Sequence, residues 1–84
     1  NLYQEIKEIR FVNDAGNYPI RFKTKFNKYP QGLAVIYCRD TNGGTPATSP
    51  WIDWAFNDAL LSIESISGLT SSLTYILRVN LIYG

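Results

Sequence analysis

A strict alternation of side chains near the C-terminus is the clearest pattern in the chain. Every second residue from position 73 onward is large and apolar, namely Leu73, Tyr75, Leu77, Val79, Leu81 and Tyr83. A period of two places these side chains on one face of an extended strand, so we predict a strand over residues 73–83. At least one edge of this strand should be paired, because an unpaired edge promotes aggregation. We also expect its apolar face to be buried in part against another subunit, because so short a chain forms little core.

A second alternation covers residues 18–26. One side carries aromatic and aliphatic residues and the other carries bases, with Ile20, Phe22 and Phe26 against Arg21, Lys23 and Lys25. Residues 13–17 come before it and tolerate positive φ, so we predict a hairpin loop there. The preceding strand is residues 5–12, favoured by the β-rich run at its end. The alternative is a helix capped by Asn1 and ended by Gly16, since Leu2, Ile6, Ile9 and Asn13 also fit helical spacing.

The middle of the chain combines a short apolar run with a long polar one. Residues 33–38 have the length and composition of a strand buried on both faces. Cys38, at the end of this run, is the only cysteine, and we interpret it as a small buried side chain. Residues 40–50 form the longest polar stretch, which predicts a loop.

Residues 49–68 allow two interpretations. As a hairpin, two strands flank a turn at Asn57 and Asp58, residue types that accept the positive φ of a type I′ turn. As a helix, the segment has an N-cap at Ser49 and a stop at Gly68. We favour the hairpin.

Together these elements predict an all-β fold, specifically a small antiparallel β-sandwich. The alternative is an α+β fold with one helix near residues 50–67. The 84 residues make a single domain over 1–84. Because the chain begins with Asn1 and contains no Met, we expect it to be a fragment of a longer protein or a processed product.

Composition argues against several classes of function. The chain has no histidine and one cysteine, so it lacks the commonest general base and a thiolate zinc site. A formal net charge of +1 is too small for the phosphate attraction of nucleic-acid binders. No apolar stretch approaches the ~20 residues of a membrane span. We therefore expect no enzyme, cofactor or metal, and neither nucleic-acid binding nor membrane insertion.

Four acidic residues are candidates for the two carboxylates of a catalytic pair. They are Asp40, Asp53, Asp58 and Glu64, the residue types that glycosidases use as acid and as base or nucleophile. Asp40 and Asp58 more commonly form turns in such contexts. We therefore predict no catalytic residue.

Aromatic residues give the better functional lead. They make up 14% of the chain, more than a small core requires, and Trp51 directly follows the polar loop. Flat rings beside hydroxyl and amide groups suit neutral sugars, and they also suit protein interfaces. We predict a ligand-binding site at Asp40, Thr41, Asn42, Thr45 and Trp51, in which Trp51 stacks and the others hydrogen-bond. The competing explanation is that the same loop clasps a neighbouring subunit.

A short segment before the last strand resembles fibronectin type III and related sandwiches. In those domains a Gly-Leu pair is followed, six residues after the Leu, by a strand Tyr whose hydroxyl bonds to the loop backbone, the tyrosine corner. Gly68, Leu69 and Tyr75 match this spacing. The resemblance implies a bond between the Tyr75 hydroxyl and the backbone of residues 68–71. The chain departs from that family in having no strand after Tyr83.

As a whole, the chain resembles C-terminal tip domains of bacteriophage tail fibres and tailspikes. It shares their aromatic-rich β pattern, their loops of Asn, Gly, Thr and Ser, and their lack of disulfides. The resemblance implies an extracellular or virion-surface homotrimer that binds a cell-surface glycan or protein receptor. The alternative is a structural trimerisation or capping module of a fibrous assembly. The sequence identifies neither the ligand nor the parent protein.

Overall fold

Six strands form two antiparallel sheets in the computed structural model, which describes residues 3–46 and 48–84. The strands are β1 (Tyr3–Val12), β2 (Ile20–Lys23), β3 (Gly32–Asp40), β4 (Trp51–Asn57), β5 (Leu60–Ser67) and β6 (Thr74–Tyr83). A 3-10 turn at Ala15–Asn17 interrupts the first connection. The predicted all-β fold is confirmed. Both helical alternatives are wrong, because β1 covers the N-terminal segment and β4 and β5 cover residues 51–67 apart from their turn.

The two sheets have the strand orders β1-β6-β3 and β2-β5-β4. The predicted hairpin at residues 13–17 is therefore wrong, since β1 pairs with β6 and β2 pairs with β5. Crossing between the sheets lets the apolar sides of β1 and β2 both face the core between them. The orders match strands B-E-D and C-F of immunoglobulin-type sandwiches, and β1 takes the place of strand G beside the F-like strand β6.

Strand β6 lies at the centre of the first sheet and supplies much of the core. Its inward residues are at most 3% exposed: Tyr75, Leu77, Val79, Leu81 and Tyr83. Leu61 and Ile63 of β5 meet them from the second sheet and are 0% exposed. The period-two prediction is confirmed from residue 75 onward, whereas Leu73 precedes the strand and is 40% exposed. The second sheet covers this face within one chain, so the expectation that another subunit helps to bury it is wrong.

Strand β3 differs from its prediction. It lies at an edge of the first sheet, and of residues 33–38 only Cys38 is buried while Ala34, Val35 and Ile36 are exposed. A β-bulge shifts the register between Val35 and Tyr37, as is common in edge strands. Burial of Cys38 is confirmed, and it raises the pKa of the thiol.

The β4–β5 hairpin is confirmed, but its turn lies one residue later than predicted. Asp58 (φ 52°) and Ala59 (φ 62°) are the positive-φ pair, as a type I′ turn requires. The observed register places Phe56 opposite Leu61. A turn at Asn57 and Asp58 would have placed Phe56 opposite the smaller Ala59, so the larger cross-strand contact decides the register.

Candidate functional site

Three connections meet at one end of the sandwich, which we call the loop end. They are residues 13–19, 41–50 and 68–73, of which the structure describes all but residue 47. Strand pairing places the ends of β1, β3 and β5 and the starts of β4 and β6 together at this end. The predicted ligand-binding residues therefore all lie at or beside the loop end.

The first and third of these connections interlock through side chains. The Asn13 amide donates to the Thr70 carbonyl oxygen (3.0 Å) and its own oxygen accepts from the Tyr18 hydroxyl (2.7 Å). Ser72 donates to the Asp14 carboxylate (3.0 Å). These bonds fix two of the loops against each other and give the loop end a defined surface.

The tyrosine corner is present next to them. The Thr70 backbone N–H donates to the Tyr75 hydroxyl over 2.9 Å, and Tyr75 is 3% exposed. The bond that the Gly-Leu…Tyr spacing implied is confirmed. It ties the start of β6 to the preceding loop.

Asp40 closes the start of the polar loop on itself. One carboxylate oxygen accepts from the backbone N–H groups of Asn42 (2.8 Å) and Gly44 (3.0 Å), and the Asp40 N–H donates to the Gly44 carbonyl (2.8 Å). A Cβ added at Gly44 would stand 2.7 Å from the other Asp40 carboxylate oxygen, so a larger residue there would displace the Asp40 side chain. Asp40 therefore shapes the loop, as aspartates in turns do, and one of its oxygens is already engaged.

The remaining loop residues lie beside the first sheet. The Thr41 N–H donates to the Thr74 carbonyl oxygen (3.1 Å), which anchors the loop to β6. Asn42 and Thr45 are exposed. The loop thus gathers Asp40, Thr41 and Asn42 into one turn with outward-facing polar groups.

Trp51 stands on the other sheet. It is the first residue of β4, is 67% exposed, and pairs with Ser67. A Cβ added at the neighbouring Gly68 would come within 2.8 Å of the Thr48 hydroxyl. The far end of the polar loop therefore passes beside Trp51, whereas the turn at Asp40 lies at the first sheet.

We call the outward surface around this indole the Trp51 face, formed by Trp51, Asp53, Ser65 and Ser67. All four are exposed, and the register sets Trp51 opposite Ser67 and Asp53 opposite Ser65. Trp54 behaves differently, because it packs against the core and lies 5.6 Å from the Tyr29 ring. The two tryptophans therefore have separate roles, one outside and one inside.

The outer face of the first sheet carries a cluster that the sequence analysis did not predict. The Glu8 carboxylate accepts from the Tyr37 hydroxyl (2.5 Å) and pairs with Arg78 (3.1 Å). The guanidinium groups of Arg39 and Arg78 lie 4.2 and 5.3 Å from the Tyr37 ring centroid. The bond from Tyr37 lowers the pKa of Glu8, and the bond to Glu8 raises the pKa of Tyr37. These residues come from three strands, so only the register and the bulge in β3 reveal that they meet.

Other kinds of site are absent from residues 3–46 and 48–84. These residues contain no pocket, no group of three or more potential metal ligands, and no helix with the length and apolarity to span a membrane. Comparison with protein-family models, curated proteins and solved structures gave no match.

Proposed function

We propose that this chain is a non-catalytic binding module that recognises a neutral glycan on a host cell surface, as the tip of a viral fibre. The observation that carries the proposal is the 67% exposure of Trp51 on a strand. Tryptophan is enriched at binding surfaces, where its flat ring covers apolar area and its N–H group meets a polar partner.

The surroundings of Trp51 match the chemistry of a sugar. The apolar C–H face of a pyranose ring stacks on an indole, while its hydroxyl groups need donors and acceptors around the rim. Ser65 and Ser67 supply hydroxyls and Asp53 supplies carboxylate oxygens on the same face.

The backbone of Trp51 is held in place, so the indole can act as a rigid binding surface. Ladder pairing with β5 fixes its backbone, and the Ser67 hydroxyl donates to the Trp51 carbonyl over 3.4 Å. A preordered platform loses less conformational entropy on binding than a mobile loop. One aromatic platform on an open surface still gives weak affinity for a single site. Several copies displayed together gain about 10²- to 10⁴-fold in avidity, which suits a fibre tip.

A glycan array tests the proposal. The protein, displayed multivalently on beads, is applied to neutral and acidic glycans. We expect selective binding to a neutral set, and Trp51→Ala should abolish it without changing the melting temperature. The matched control is Leu60→Ala, which removes another exposed apolar side chain (44%) at the opposite end of the same sheet and should bind like the wild type.

Two outcomes would contradict the proposal. One is that the wild-type protein binds no glycan on the array. The other is that Trp51→Ala and Leu60→Ala bind equally well, which would place the ligand elsewhere.

A further inference from the structure

We propose that this chain associates with itself head to tail, with the outer face of the first sheet of one copy docking on the acidic half of the second sheet of the next copy. The first surface, which we call the arginine face, is centred on Arg10, Arg39 and Arg78 with Tyr37 and Glu8. The second is centred on Asp53 and Glu64. This inference does not rest on the glycan proposal, but Asp53 belongs to both the acidic surface and the Trp51 face.

The arginine face carries uncompensated positive charge. Arg10 on β1 and Arg39 on β3 both pair with Ile76 of the central strand β6. Their Cα atoms are therefore about 10 Å apart, which is two strand spacings. Within the described residues the one ion pair joins Arg78 to Glu8, and Arg10 and Arg39 have no carboxylate partner. Two exposed guanidinium groups at this spacing can bracket acidic side chains of a partner.

The same face has the composition of a protein interface. Its cations are all arginines, Tyr37 lies among them, and aliphatic side chains continue along the sheet. Ile6 is 60% exposed and Val12 37% exposed. Arginine and aromatic residues are enriched at interfaces, while lysine is depleted.

Two arginine faces cannot serve as each other's partner. Whatever their orientation, such a contact would bring together three arginines and one glutamate from each copy. The excess positive charge would lose its hydration without gaining a counter-charge, which is unfavourable. The partner surface must therefore be acidic.

The chain itself carries such a surface on its opposite side. Asp53 on β4 and Glu64 on β5 are both exposed. The bulge in β5 leaves Glu64 without a ladder partner, next to Ser65, which pairs with Asp53. Arg21 and Lys23 project from β2, across the same sheet, which confines the acidic surface to the β4 half. The two surfaces have opposite sign and face away from each other, so every copy can use both.

The size of the faces sets the strength of the contact. Three neighbouring strands of about ten residues, at ~3.3 Å per residue and ~4.8 Å per strand, give the arginine face an area on the order of 500 Å². Stable complexes bury about 800 Å² per partner. The association should therefore be weak, should be sensitive to salt, and should continue beyond a dimer, because each docking leaves two unused faces.

Sedimentation equilibrium with two neutralising variants tests this contact. One variant is Arg10→Gln with Arg39→Gln, and the other is Asp53→Asn with Glu64→Gln. At high concentration and low salt the weight-average mass of the wild type should rise above that of a monomer, and added salt should reverse the rise. Each variant alone should stay monomeric, and an equal mixture should form a one-to-one dimer, because each variant keeps the face that the other lacks.

Arg21→Gln is the control, since it removes a cation outside both surfaces and should associate like the wild type. A wild type that stays monomeric would overturn the proposal, as would variants that remain monomeric when mixed. A variant with one face removed that still associates alone would also overturn it. The variant Arg10→Gln with Arg39→Gln keeps the whole Trp51 face and should bind glycan at least as well as the wild type, so this proposal and the glycan proposal can fail separately.

Discussion

The two outer faces of the sandwich differ far more than its two inner faces. Both sheets turn aliphatic and aromatic side chains inward, and the core residues of both are at most 8% exposed. Outward, the first sheet carries arginines around Tyr37, while the β4 half of the second carries serines, acids and Trp51. Packing requires apolar residues on the inner faces but leaves the residue types on the outer faces unconstrained. The outer faces are therefore where the function of this protein is to be sought.

The largest expected effect contrasts the two sides of β6. Leu77 points inward and is 0% exposed, whereas its neighbour Ile76 points outward and is partly exposed. Leu77→Ala should destabilise the fold by about 2 to 5 kcal/mol, since it leaves a cavity. Ile76→Ala should cost clearly less. Urea denaturation measures the free energy of unfolding of both variants. Equal destabilisation would contradict the assignment of Leu77 to the inner face and Ile76 to the outer face.

The next contrast is between two tyrosine–glutamate hydrogen bonds. Tyr83 donates to Glu5 inside the sandwich (3.1 Å), and Tyr37 donates to Glu8 on the outer face. Burial, with the bond to Glu5, raises the pKa of Tyr83 to about 12, against about 10 in the unfolded chain. Folding thus favours the protonated phenol. Its contribution is intact below pH 10 and is lost as the pH rises through 12.

Measuring the free energy of unfolding between pH 10 and pH 12 tests whether stability falls as the pH rises. The loss assigned to Tyr83 is on the order of 2 kcal/mol, and Tyr83→Phe should remove that part of the pH dependence. Tyr37→Phe is the matched control on the outer face and should leave most of the alkaline loss in place. Identical pH profiles for Tyr83→Phe and wild type would contradict the assignment.

A smaller effect is expected at the tyrosine corner. Tyr75→Phe removes the acceptor of the Thr70 N–H bond while keeping the ring, so it should cost about 0.5 to 1.5 kcal/mol. The change should also raise the hydrogen-exchange rate of the Thr70 amide. An unchanged exchange rate would mean that this bond does not hold the loop end together.

The sequence predicted the inner faces better than the outer ones. Alternation located β6 and its buried residues, because a side chain that must avoid water leaves a period-two signal. The hairpin loop at residues 13–17 was wrong because local turn chemistry says nothing about which strand becomes the partner. Burial of residues 33–38 on both faces was wrong because an apolar run does not reveal that its strand lies at an edge.

The candidate site was predictable only in part. The loop and Trp51 followed from composition, but whether the indole faces inward or outward depended on the register of β4 with β5. The arginine face left no local signal at all. Its residues come from β1, β3 and β6, and Tyr37 joins Arg78 only because Ile36 is bulged out of the ladder.

Tryptophan fluorescence tests the assignment of the Trp51 face most directly. In Trp54→Phe the emission reports Trp51 alone, and in Trp51→Phe it reports Trp54 alone. Each variant is titrated with the glycan that the wild type binds best on the array. We predict a saturable change in the emission of Trp51 and none in that of Trp54. A constant Trp51 signal while Trp54→Phe still binds the glycan, or a response from Trp54 alone, would contradict the account.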